Sequence, residues 1–264
     1  MPTQPPSPKM EDSSASNAKK PALPPDAPLD RLIHDSSAEI LGAVASDPRL
    51  TEDLALALLK RRDLPREALE LLHKHKSLAK LRKVQMAIVM HPHTPRHITL
   101  PTIRHLYAFE LMQVALQPSV AADVKHAAEE VLIARLDTIS SGERFTLAKR
   151  SSGRVAAALL LDHEERVVQA ALANPQMTEL WIVKALKAAA GTELLAPAVC
   201  RHQKWLYRHD VKAALLANAH TPFARVAQFA AELPRSVLRE LLRNARLAPT
   251  VKAHLKTVLE KKSK

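Results

Sequence analysis

Ala170–Leu186 reads AALANPQMTELWIVKAL, and a matching phrase stands 127 residues earlier as AVASDPRLTEDLALALL at Ala43–Leu59. The same offset pairs Val84–Pro95 (VQMAIVMHPHTP) with Val211–Pro222 (VKAALLANAHTP). It also pairs Val114–Leu132 (VALQPSVAADVKHAAEEVL) with Leu241–Leu259 (LLRNARLAPTVKAHLKTVL). Three separate blocks hold register without a gap, which chance rarely does. The body therefore reads as an internal tandem duplication, one half near 29–150 and the other near 154–262.

A shorter phrase recurs within each half. A small apolar helix end is followed by Asn/Asp-Pro or its Ala variant, then by Thr-Glu or Thr-Pro. It falls around Pro48, Pro92 and Pro118, and again around Pro175, Ala219 and Ala245. Pro blocks continuation of a helix, and a Thr hydroxyl caps the free amides of the next one. Leu54, Leu58 and Leu59 lie on one helix face, as do Leu233, Val237, Leu238, Leu241, Leu242 and Ala245. A lone helix-plus-turn unit cannot bury such a face, so successive units must stack on one another. The predicted fold is all-α: an α-solenoid, a superhelical stack of short helical repeats over residues 29–262.

Composition agrees. Aromatic residues make up only 3% of the chain and there are just 4 Gly, while Ala and Leu dominate the 47% hydrophobic share. That composition favours helix over a turn-rich sheet. Residues 1–28 differ: they hold eight of the 19 Pro and almost no large apolar side chain. Such a segment cannot bury enough surface to offset its ordering entropy, so a disordered N-terminal tail is expected there.

The phrases at 170–186, 207–222 and 82–95 resemble those of the leucine-rich repeat variant family and, more loosely, HEAT-like repeats. The resemblance covers most of 33–259, with degenerate units at 60–80 and 187–205. It implies short alternating helices wound into a superhelix, and no activity of its own. Some members of that family are associated with an iron–sulfur cluster on a Cys-rich segment. This chain has a single Cys, Cys200, so the cluster is not carried over and no cofactor is expected.

One Cys also excludes an intrachain disulfide and fits a reducing cytoplasm. The longest apolar runs, such as Ala156–Leu161, are far too short to span a bilayer, so no membrane partner is expected. The N-terminus lacks the apolar stretch of a secretory signal.

Catalytic and metal constellations are weak. His91, His93 and His97 form H-x-H-x-x-x-H, a loose zinc pattern, but only His93 recurs in the duplicate, as His220, which points to a role in the turn. Ser77–Lys80 spells S-x-x-K without the companion motifs of Ser-nucleophile hydrolases. Asp162, His163, Glu164 and Glu165 make an acidic knot, and Asp162 with Glu165 fits a capping box, with Asp35 at the matching place in the first half. No two Gly lie closer than Gly142 and Gly153, so no phosphate-cradling loop exists. Trp181 and Trp205 read as core residues. No enzyme, metal or small-molecule site is expected.

Charge is the remaining signal. The formal net charge is +12, and from residue 156 onward 17 Lys/Arg face 9 Asp/Glu. Arg235, Arg239, Arg243 and Arg246 fall on one helix face, and Arg201, Lys204, Arg208 and Lys212 repeat the spacing one unit earlier. Lys74, Lys76, Lys80, Arg82 and Lys83 form a third cluster. The expected function is an intracellular protein-interaction scaffold that offers a basic solenoid surface to a macromolecular partner. The alternative is a nucleic-acid-binding solenoid whose Arg/Lys rows contact phosphates.

Overall fold

A computed structural model of the chain describes residues 23–24, 26–188, 193–243 and 247–262. Apart from 23–24 and 26–28, the expected tail lies outside the described residues. Among the described residues there are helices and turns but no strand. In chain order the helices are α1 (Leu29–Leu32), α2 (Ala38–Ser46), α3 (Glu52–Leu59), α4 (Arg66–Lys74), α5 (Arg82–Met90) and α6 (Arg96–Ile103). Then come α7 (Ala108–Leu116), α8 (Ala122–Ala134), α9 (Ser141–Arg150), α10 (Gly153–Ala158), α11 (Glu165–Leu172) and α12 (Glu179–Lys187). The last are α13 (Leu195–Arg201), α14 (Gln203–Leu206), α15 (His209–Ala217), α16 (Phe223–Glu232), α17 (Arg235–Leu242) and α18 (Pro249–Lys261). No helix among the described residues is long and apolar enough to cross a membrane.

The chain divides into two compact units, one ending at Val84 and one beginning at Gln85. In the first, α2 packs on α4 and buries Leu41, Val44, Leu69 and Leu72. Two side chains tie its turns together. Arg61 Nη1 donates to the carbonyls of Ile33 at 2.8 Å and Asp35 at 2.6 Å. His75 Nε2 donates to the Asp47 carbonyl at 3.0 Å, which leaves Nδ1 to accept from the Leu78 amide and the Ser77 hydroxyl. The Ser of S-x-x-K is thus held in a turn, and Lys80 is exposed.

The second unit is built in rows. Helices α10, α12, α15 and α17 contact one another in succession and form a front row. Behind them α11 packs against α9 and α13, and α16 against α18. Helix α8 packs on α7 and α6 and adjoins α10. One contiguous apolar core runs through this unit from Val89 to Leu255. Stacking shares each helix's apolar face with its neighbours, which supplies the burial that a helix of eight or nine residues lacks alone.

Helix boundaries repeat at the offset read from the sequence. Adding 127 to α5 gives α15 and adding it to α8 gives α18, at both ends. Helices α3, α6 and α7 likewise start 127 residues before α12, α16 and α17. The turns repeat as well. Asp47 Oδ1 accepts from the Arg49 amide at 2.8 Å, and its counterpart Asn174 Oδ1 accepts from Gln176 at 2.7 Å. Asp35 and Asp162 bind the amides of Ser37 and Glu164 in the same way.

The turns differ from the expectation in three respects. Thr51 does cap α3, but Thr94 and Thr221 point backward, donating to the carbonyls of Ile88 (2.5 Å) and Leu215 (2.6 Å). They close the preceding helix, and Pro95 and Pro222 stand at the N-cap positions. Asp162 binds Glu164 instead of forming a box with Glu165; the reciprocal box in this region is Ser140 with Glu143. In the His-Pro-His turn the buried side chain that accepts the i+2 amide is His91, replaced by Asn218 in the duplicate. His93 and His220 contribute their backbone, and their side chains are exposed.

Asn174 shows what these turns do. It is 1% exposed, and its Nδ2 donates to the carbonyls of Ala148 at 2.8 Å and Ser151 at 3.1 Å, tying the end of α9 to the turn before α12. Asn174→Ala leaves two acceptors and one donor without these bonds. It is expected to cost about 1–3 kcal/mol, since buried polar groups stripped of partners carry their full desolvation penalty. Urea unfolding checks this; an unchanged midpoint would show that the ties contribute nothing.

Candidate binding groove

The front row exposes a groove in two parts, both within the second unit. The apolar part, about 620 Å³, lies between α10 and α12 and is lined by Ile133, Ala157, Ala158, Leu161, Leu180, Trp181, Val183 and Ala185, with Arg154, Lys184 and Lys187 at its rim. The second part, about 820 Å³, crosses α12, α15 and α17. Its walls combine Ala213, Ala214, Ala217, Val237 and Leu241 with His209, Asp210, Asn218, His220 and Glu240. Val183, Lys187 and Ala188 line both parts, so α12 forms a wall common to the two.

Small residues make this space. Ala on facing helix positions leaves a channel where Leu would fill it. Gly153 does the same for the backbone: at the start of α10, a Cβ there would sit 2.5 Å from the Gln176 carbonyl oxygen. Gln176 belongs to the turn that feeds α12, so this approach sets the spacing of α10 and α12.

Apolar side chains stand open in that space. Leu180 is 74% exposed and Leu161 37%. Trp181 is half-buried in the wall, and the Lys184 ammonium lies 5.3 Å from its ring centre. The core reading of the sequence thus holds for Trp205, buried with Nε1 donating to the Leu172 carbonyl at 2.8 Å, and in part for Trp181, which is half-buried against the core and also lines the groove. Helical periodicity placed both on apolar faces. It does not tell whether the next helix covers that face.

The basic residues form no single row. Arg201 ends α13, Lys204 lies in α14, Arg208 caps α15 and Lys212 lies within α15, so the helix breaks twice within the expected face. Arg201 pairs with Glu165 and Lys212 with Glu232. Lys204 lies 4.2 Å from the centre of the Trp205 ring. Arg208 is exposed. On α17, Arg235 and Arg239 are exposed, as is Arg243 at its C-cap, and none has a carboxylate partner among the described residues. Arg246 lies outside the described residues. Val237, Glu240 and Leu241 face the groove; at 3.6 residues per turn the Arg row falls roughly 150° around the helix from them. These Arg residues flank the last front-row helix and do not line the groove. Of the third cluster, which lies in the first unit, Lys74, Lys76, Lys80 and Lys83 are exposed and Arg82 is half-buried.

Chemistry elsewhere is committed to structure. Asp162, His163 and Glu164 lie close enough to share a cation, but the buried Arg144 guanidinium already occupies their centre. It reaches Asp162 at 2.8 Å, Glu164 at 2.9 Å and the Ile139 carbonyl at 2.8 Å. A charged guanidinium there repels a metal ion and joins α9 to the start of α11. Burial pushes the Cys200 thiol up, so it stays protonated and unreactive. No family model, curated protein or solved structure matches the chain.

Two expectations follow. Ala is otherwise favoured over Gly in a helix by up to about 1 kcal/mol, yet Gly153→Ala is expected to destabilise by about 1–3 kcal/mol because the contact it meets is backbone. Thermal unfolding decides the sign. Acid acts through Asp47, Glu164 and Glu232. Each ionises below the usual carboxylate range: Asp47 through its hydrogen bond from Arg49, Glu164 through Ser141 and Arg166, and Glu232 through Lys212. The unfolded chain therefore binds more protons as pH falls. Their contribution is full above the ordinary carboxylate value of about 4 and is lost below it. Urea midpoints should fall between pH 6 and pH 3, and equal midpoints would refute this.

Proposed function

We propose that the chain is a protein-interaction scaffold of the leucine-rich repeat variant or HEAT-like kind, with a binding role and no catalytic one. The carrying observation is the apolar part of the front-row groove, where Leu161 and Leu180 stand open and the half-buried Trp181 lines the wall beside Lys184 and Lys187. Exposed apolar side chains gathered in a concavity and rimmed by polar groups mark macromolecular contact surfaces. The Asp162, His163 and Glu164 cluster is held by the buried Arg144 guanidinium, which supports binding over catalysis. A lone buried Cys supports a reducing compartment such as the cytoplasm.

The nucleic-acid alternative draws on Arg235, Arg239 and Arg243, which are exposed without carboxylate partners among the described residues. Against it stands the internal pairing of Arg201 and Lys212.

Panning a random peptide display library on the full chain and on Leu180→Asp tests the proposal. Leu180 is exposed and in the first turn of α12, where Asp is well tolerated. Peptides enriched on the natural chain are expected to fail on the variant, while Arg239→Glu with Arg243→Glu leaves them bound. Enrichment that ignores Leu180 would refute the groove. Tight, salt-sensitive retention of duplex DNA that is lost in the double Arg variant would move the conclusion to nucleic acid.

A further inference from the structure

The duplication supplies an internal comparison for the groove. At the offset of 127, Leu180 corresponds to Asp53, Trp181 to Leu54, Lys184 to Ala57 and Leu161 to His34, while Lys187 corresponds to Lys60. Asp53 is exposed on α3 as Leu180 is on α12. The helix thus forms equally well with a carboxylate at that position. Position 181 is apolar and half-buried in both halves, but the fold does not require the large apolar side chains at 161 and 180 that distinguish the second half, so their exposure calls for another account.

Charge narrows what they contact. The lining of the apolar part contains Arg154, Lys184 and Lys187 and no carboxylate. Arg154 is already bound by Glu129 and Glu130 of α8, at 3.5 and 3.4 Å. Lys184 lies over the Trp181 ring. Lys187 is exposed, has no carboxylate partner among the described residues, and lines both parts of the groove. The carboxylates that line the groove, Asp210 and Glu240, belong to its second part, on α15 and α17.

Building on the groove as a protein-binding surface, we infer that its occupant is a short acidic peptide segment of a partner protein, with a bulky apolar side chain next to a carboxylate. The apolar anchor lies among Leu161, Leu180 and Trp181, and the carboxylate meets Lys187. A basic segment would set its charge against Lys184 and Lys187 in the region where water is displaced and repulsion is least screened.

Two fluorescein-labelled peptides of equal length test this by anisotropy on the full chain: a soluble leucine–glutamate peptide and its leucine–lysine counterpart. The leucine–glutamate peptide is expected to bind, more weakly at high salt, and to shift the emission of Trp181 to the blue; Trp205 is already buried. Leu180→Asp, which installs the residue of the first half, should weaken it by about tenfold to hundredfold, the equivalent of one lost leucine contact. Lys187→Glu should reverse the preference toward the lysine peptide. Equal binding of both peptides, or binding indifferent to Leu180, overturns the inference. If neither binds while library panning still returns Leu180-dependent peptides, the acidic occupant is refuted and the groove stands. If panning is also indifferent to Leu180, both fail together.

Discussion

A short helix ends in carbonyls that no further turn of helix can satisfy, and this chain ends a helix every dozen residues. Each such end must find a donor. The donors come from one repeat further along. Asn174 reaches back to Ala148 and Ser151, Asn218 to Leu186, and Trp205 to Leu172. Arg61 and His75 do the same in the first unit, toward Ile33, Asp35 and Asp47. These bonds satisfy carbonyls at helix ends, or in the Asp35 case in the loop that follows, and also fix the distance between successive repeats. Apolar burial holds the stack together, but it is non-directional. The side-chain-to-carbonyl bonds give it a pitch.

A fixed pitch is what makes a groove possible. Gly153 lets the α10 backbone approach the Gln176 carbonyl, and Asn174 anchors the same turn from the α9 side. Between them the front-row helices are held at a set spacing, and Ala at facing positions leaves that spacing unfilled. The buried Arg144 hub locks α9 to the entry of α11 behind them. Removing one partner from such a buried set costs more than the set contributes, because the remaining charge is left in a poor solvent. Charged chemistry that a sequence reader would offer to a metal is spent here on holding helices in register.

Duplication makes two kinds of residue separable. Those that recur, such as the Asp35/Asp162 and Thr94/Thr221 pairs, perform the same bond in both halves. Those that diverge on an exposed face, such as Asp53 and Leu180, leave the helix unaltered and change only what its surface can contact. The apolar side chains at 161 and 180 belong to the second kind, and they give the second half a surface chemistry that the first half lacks.

Helix class, repeat register and many helix boundaries were legible from residues 43–59 and 170–186 and from their relatives, because Pro, small polar turn residues and apolar spacing act locally. The reading erred where a side chain had a choice of direction. Thr94 had equally good local geometry for capping forward or bonding backward, and the packed turn selected the second. Trp181 and Trp205 looked alike at helical spacing, and only the helices stacked beside them determined that one is covered and the other lines a groove. The row from Arg201 to Lys212 dissolved because two helix breaks and the partners Glu165 and Glu232 are matters of neighbouring chain. Periodicity along a helix is a one-dimensional property; exposure, pairing and concavity depend on what the remaining elements leave uncovered.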